Sequence, residues 1–281
     1  MNRFKVSTCL LGIIAVFLLI NPVSAEDNLF KTVPADTMFC VRINNLDYSL
    51  GQLDKFASGI SPMGTLMLTR MQLAGMLGDP ALTGINTAGN FALAGFAPPS
   101  GSGKERLKPV LAGFLPVTDY KQLLAGNPNI SAGDANGMSV IETPPAPGKP
   151  AGKLAMAQAG SYAVVAGFKD SKKLAAIAKA DSSLADSLDS ELKKAASDTP
   201  IWAYADIERI NSIYGDEIKK QLKTAQEMMG KAQKNMPQAG NSAEMMKTYS
   251  SVIDSVCTQS RYATLSLIPG PELLRVKQGL A

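Results

Sequence analysis

The sequence predicts an α+β protein with duplicated strand/helix units, a mainly antiparallel sheet with packed helices, and a C-terminal helical hairpin. Three observations carry that reading. Short alternating segments lie close enough to pair, as 154–158 and 161–167 do across Ala159-Gly160. Between such segments, apolar residues recur at steps of three and four, the spacing of a helix face. The order mixes strands, hairpins and helices without strict strand–helix alternation, which argues for α+β rather than a parallel sheet.

Taken in order, a short lead precedes a strand over 38–43, closed by Asn44-Asn45. Leu46, Leu50, Leu53, Ala57 and Ile60 then fall at helical spacing. Ser61-Pro62 opens a second helix, serine as cap and proline in the first turn. It stops near Leu77 at Gly78-Asp79-Pro80. Strands follow at 90–96 and 109–115, then a helix over 119–124 and a strand over 138–141. The segment 143–152 holds four prolines and two glycines and reads as a loop or linker. The 154–167 hairpin comes next. Its Ala- and Gly-containing strands have weak β-propensity, so the assignment leans on alternation.

The C-terminal part is more helical. Ser171 is expected to cap a helix containing Leu174 and Ile177. Ser183 with Asp186 caps another, or the two are continuous through Leu184, Leu188 and Leu192. A strand over 200–205 carries Trp202 and Tyr204 on one face, the pattern of an aromatic pair packed beneath a helix. Ile218, Leu222, Ala225, Met229, Ala232 and Met236 form a heptad-like stripe. Asn241 and Glu244 form a capping box for a returning helix, whose apolar face holds Met246, Tyr249, Ile253 and Val256. Together, 216–257 reads as an antiparallel helical hairpin. A strand over 262–268 follows, and the last ten residues add part of another.

Short pieces recur along the chain. Gly89-Asn90-Phe91-Ala92-Leu93-Ala94-Gly95-Phe96 parallels the segment from Gly160 to Phe168. Asp36-Thr37 and Asp198-Thr199 each open a strand that leads through a polar turn into a helix. These matches suggest an ancient duplication, with units over 26–148 and 149–281.

The first 25 residues give the address. Arg3 and Lys5 precede a twelve-residue apolar run, Asn21-Pro22 breaks it, and Val23-Ser24-Ala25 supplies small residues for cleavage. The run is shorter than the about 20 residues of a membrane span. A cleaved export signal is the reading, with release into the periplasm or medium. Membrane contact arises only if the signal is retained as an anchor. Losing Arg3 and Lys5 brings the formal charge of +4 nearer zero. Neither half concentrates the positive charge of a nucleic-acid footprint, so no nucleic-acid partner is expected. Cys40 and Cys257 remain, in a compartment that permits a disulfide between them. Burial of both as thiols is the alternative.

The sequence has no histidine. Serine–histidine and cysteine–histidine catalysis, and histidine-containing zinc sites, are therefore excluded. No cofactor and no metal are expected. Gly101-Ser102-Gly103-Lys104 lacks the first glycine of a phosphate loop, and Glu105 replaces its hydroxyl residue. The least poor catalytic candidates are Asp206 and Glu208, since paired carboxylates can hydrolyse glycosides. The methionines of the hairpin, Met228, Met229, Met236, Met245 and Met246, exceed what one seam needs. They offer an adaptable apolar surface for an envelope protein or amphipathic ligand.

Val33-Pro34-Ala35-Asp36-Thr37-Met38-Phe39, followed by Asn45-Leu46, resembles a loose group of exported bacterial proteins of unknown function, with a Pro-Ala-Asp-Thr strand opening and repeated α/β units. The resemblance covers short motifs and implies no activity. The expectation is an exported, non-enzymatic envelope binding or interaction module. The alternatives are a periplasmic hydrolase using carboxylates and a structural envelope component.

Overall fold

The computed structural model describes residues 29–58, 64–99, 108–131, 133, 138–145, 151–235, 242–270 and 273–281. The export segment, Ser61-Pro62, the Gly101–Lys104 loop, Met236 and Asn241 lie outside the described residues.

An interior strand of the sheet is β1 (Thr37–Ile43). Alternation along it sends Met38, Cys40 and Arg42 to one face and Phe39, Val41 and Ile43 to the other. On one side β1 pairs with β2 (Phe91–Phe96), on the other with β8 (Ile201–Asp206), so Val41 lies opposite both Leu93 and Ala203. Beyond β2 come β3 (Val110–Pro116), β7 (Tyr162–Gly167), β6 (Gly152–Ala159), β5 (Ser139–Thr143) and β4 (Ile130–Ser131). Beyond β8 come β9 (Tyr262–Pro269) and β10 (Leu274–Leu280). These ten strands form one sheet with every pairing antiparallel. The 148/149 division falls between β5 and β6, which pair, so both expected units feed one sheet.

Helices lie on both faces. The first face is lined by small residues, among them Ala94, Ala112, Ala155 and Ala166. Their size lets α1 (Leu29–Thr32), α5 (Ser171–Ala178), α6 (Leu184–Ser187) and α7 (Ser190–Asp198) approach, and Phe30, Leu174, Ile177, Leu184 and Leu188 fill the layer between. The second face is covered in part by α2 (Leu46–Phe56), α3 (Thr65–Leu77) and α4 (Tyr120–Gly126). Leu46, Leu50, Leu77 and Leu123 bury there against Phe91, Leu115, Ile141 and Val165.

The ends of these helices follow from their caps. Asn45 accepts from the Tyr48 N–H at 3.1 Å to start α2. Asp119 accepts from Lys121 and Gln122 to start α4. Gly78 ends α3 at φ +76°, and a Cβ there would lie 2.7 Å from the Asn129 side chain. Only glycine satisfies both conditions.

Two boundaries differ from expectation. Asp170, not Ser171, occupies the cap position of α5. A 3₁₀ turn over Phe168–Asp170 runs straight into the helix, leaving Ser171 already helical. The 171–198 segment is three helices rather than two or one. Ser183 and Asp186 do form the capping box that starts α6. Leu188 then turns extended, and Asp189 accepts from the Leu192 N–H at 2.8 Å to start α7 anew. A local side-chain bond offered to the backbone competes with continuation.

After β8, α8 runs over Ile207–Asn235 and α9 over Ser242–Gln259, and the two lie in contact. The first begins well before residue 216, because Asp206 accepts from the Arg209 N–H at 2.8 Å at the strand's very end. No helix among the described residues is long and apolar enough to cross a membrane.

Candidate functional site

Asp206 and Glu208 stand where β8 becomes α8, but they do not form a pair at work on a common ligand. Asp206 caps the helix and also accepts from the Arg209 guanidinium at 3.3 Å. Glu208 is exposed. Neither lines the nearby depression of the sheet. The position of Asp206 is explained by helix initiation, which gives no support to acid–base chemistry.

Trp202 and Tyr204 belong to the first face. Phe30 meets Trp202 edge-on at 5.5 Å, Trp202 stacks on Tyr204 at 6.0 Å, and Tyr262 continues the row at 6.1 Å. Both residues are buried beneath α1, so the pair is core rather than a ligand platform. Burial, with the Asp206 charge adding to it, pushes the Tyr204 hydroxyl up to about 12.

Cys40 and Cys257 are not joined by a disulfide. Cys40 is packed in the sheet core, while Cys257 sits half-buried near the end of α9. Of the two readings the sequence left open, bridge or separate thiols, the structure has the thiols. Alternation placed Cys40 beneath the first-face helices, whereas Cys257 belongs to the separate α8–α9 pair.

Among the described residues of the helix pair none is fully buried. Ile218, Leu222 and Ala225 of α8 and Val256 of α9 are half-buried, as a shared seam requires. Met228 is 67 % exposed and Val252 is 55 % exposed, with Ile213 and Ile253 also open to solvent. Met236 and the side chains of Met229, Met245 and Met246 lie outside the described residues.

Beside this pair, the second face of the sheet carries a depression of about 380 Å³. Phe39, Val41, Ala203, Ala205, Leu265 and Leu280 line it. Further along the face, Leu93 and Leu111 are exposed. The α2–α3–α4 layer packs on Phe91, Leu115, Ile141 and Val165 and supplies no residue of this lining. The lining is mainly apolar, with Thr264 and Gln278 as uncharged polar members, which suits an apolar chain or side chain rather than a charged substrate.

No family model, curated protein or solved structure matches this chain.

The chemistry of the site rests on its own residues. Away from that site, on the first face, a buried charge escaped the sequence reading. Arg42 is buried between sheet and helices, donates to the Ala196 carbonyl, and lies 5.3 Å from the Phe30 ring centre. The signal was present: Arg42 shares the alternation that buries Met38 and Cys40. Its guanidinium meets the carbonyl end of α7, where positive charge is favoured, and its stem packs as an apolar side chain.

Proposed function

We propose that this chain is an exported, non-enzymatic interaction module of the bacterial cell envelope, which takes up an apolar or amphipathic segment of a partner. The carrying observation is that Met228 and Val252 stand exposed on a helix pair whose described residues include none that is fully buried. Exposed apolar residues that form one contiguous patch mark an interaction site, and Met228 and Val252 are taken as parts of such a patch. The open aliphatic depression of the sheet adds room for the same ligand.

In this reading 216–257 acts as a helical hairpin, and its surplus methionines allow it to adapt to its ligand. A duplication accounts for the layout. Both β1 and β8 lead into two helices and return as two antiparallel strands, β2–β3 and β9–β10. The two leading strands pair with each other, so the six strands run β10-β9-β8-β1-β2-β3. The export signal over 1–25, cleaved after Ala25, supplies the address.

The test uses the register of β8 and β9. Asp206 pairs with Tyr262, so Asn-Gly can replace residues 208–260 as a tight hairpin turn. The mature wild type and this variant are each used to capture ligands from the native envelope, followed by quantitative mass spectrometry. The expected outcome is that proteins and lipids enriched by the wild type are lost with the folded variant. Equal capture by both overturns the proposal.

A further inference from the structure

The two edges of the sheet are unlike. At one end, β4 has two residues, too few to template another strand. At the other, β10 has seven residues and, among the described residues, one strand neighbour. Its backbone pattern is fixed by its end: Ala281 and Tyr262 exchange both hydrogen bonds. Pairs of this kind alternate along an antiparallel ladder. The N–H groups of Arg275, Lys277 and Gly279 therefore point to β9, and those of Leu274, Val276, Gln278 and Leu280 point outward. The Gly270 N–H donating to the Leu273 carbonyl fits the same phase.

The side chains of β10 divide as sharply. Leu274, Val276, Gln278 and Leu280 pair with Pro269, Leu267, Leu265 and Ala263 and share the apolar second face. Val276 is 51 % exposed and Leu280 59 % exposed. Arg275 and Lys277 lie on the opposite face, both exposed. Within the first strand–helix–helix–strand–strand run, β3 holds the place that β10 holds in the second. The outer side of β3 is occupied by an antiparallel strand, β7.

We propose that the open edge of β10 is a strand-addition site for an extended segment of another protein that alternates acidic and apolar residues. Antiparallel addition puts the partner's acidic side chains opposite Arg275 and Lys277 and its apolar ones beside Val276 and Leu280. Directly opposed charges of opposite sign stabilise such pairs, and like charges oppose them. The same rule disfavours a second copy of this chain. Self-pairing centred on Val276 sets Arg275 against Lys277, and centring on Lys277 sets it against itself. This site shares Leu280 with the depression of the second face but does not rest on the α8–α9 reading.

The test measures binding of two dye-labelled, end-blocked heptapeptides to the full chain, one alternating valine with glutamate, the other valine with lysine. The glutamate peptide is expected to bind at least about tenfold more tightly. Val276→Pro removes an outward N–H that β9 does not use, so the fold persists and binding falls at least about tenfold. Arg275→Glu with Lys277→Glu reverses the preference and serves as the second variant should the proline perturb folding. Equal binding of the two peptides, or binding indifferent to both variants, overturns the proposal. So does slow amide exchange at Val276 and Gln278 in the peptide-free monomer, which would mean that the chain covers its own edge. A dimer in sedimentation that Val276→Pro dissolves assigns the edge to a second copy instead.

Discussion

Arg42 joins three elements at once: it leaves β1, lies along Phe30 of α1, and ends on the Ala196 carbonyl of α7. Arg42→Ala strands that carbonyl and opens a void, so urea unfolding should show a loss of about 2–4 kcal/mol. Arg42→Met keeps much of the packing and should lose less. Tyr204 gives a prediction in pH. Its folded-state value near 12 lies above the ordinary 10, so the folded chain holds the phenolic proton longer than the unfolded chain. Its contribution is fully present below pH 10 and is lost as pH rises toward 12. Thermal melts of Tyr204→Phe should show a shallower decline across that alkaline window than the wild type; identical slopes would refute the assignment. At this scale the sequence was legible where period 2 decided the face, as at Trp202 and Tyr204. Asp206 stood only as a least poor candidate, because a carboxylate at a strand end looks the same in sequence whether it caps a helix or serves chemistry; it caps α8.

Elements were legible where two signals agreed. At the Ser183–Asp186 capping box the Asp186 carboxylate accepts from the Ser183 N–H at 2.9 Å and from the Ser183 hydroxyl at 2.7 Å, and the start of α6 is also held to the lead, since the Leu184 N–H donates to the Val33 carbonyl. Ser183→Ala should lower stability by about 1 kcal/mol in denaturant titration. Boundaries were lost where a local bond competed with periodicity. Leu184, Leu188 and Leu192 keep helical spacing straight through a break that Asp189 creates. The start of α8 was placed too late for a related reason: its first turns carry Ile207, Ile210 and Tyr214, which serve the sheet junction and fall outside the later stripe. Replacing residues 208–260 by Asn-Gly should leave a single cooperative thermal transition, because β8 and β9 already pair at Asp206 and Tyr262. Loss of cooperative unfolding would show that the helix pair is part of the core.

At the scale of the whole molecule, the mixture of hairpins and helices was enough to foresee an antiparallel α+β architecture. The strand order was not. Nothing local in 201–206 says that it crosses the molecule to lie beside β1, nor in 162–167 that it closes on β3. Those pairings are set by burial of both faces, which only the assembled sheet reveals. The second face carries the depression lined by β1, β8, β9 and β10, and α8 contacts three of those strands, β1, β8 and β9. The account therefore rests on whether that region meets a ligand. The most direct measurement places a photo-crosslinking amino acid at position 228 or 252 of the full chain in its native envelope, with position 193 on α7 as an exposed control. Crosslinks from 228 and 252 to a common envelope component, absent from 193, are the predicted result. The same products from all three positions, or none from 228 and 252, would contradict it.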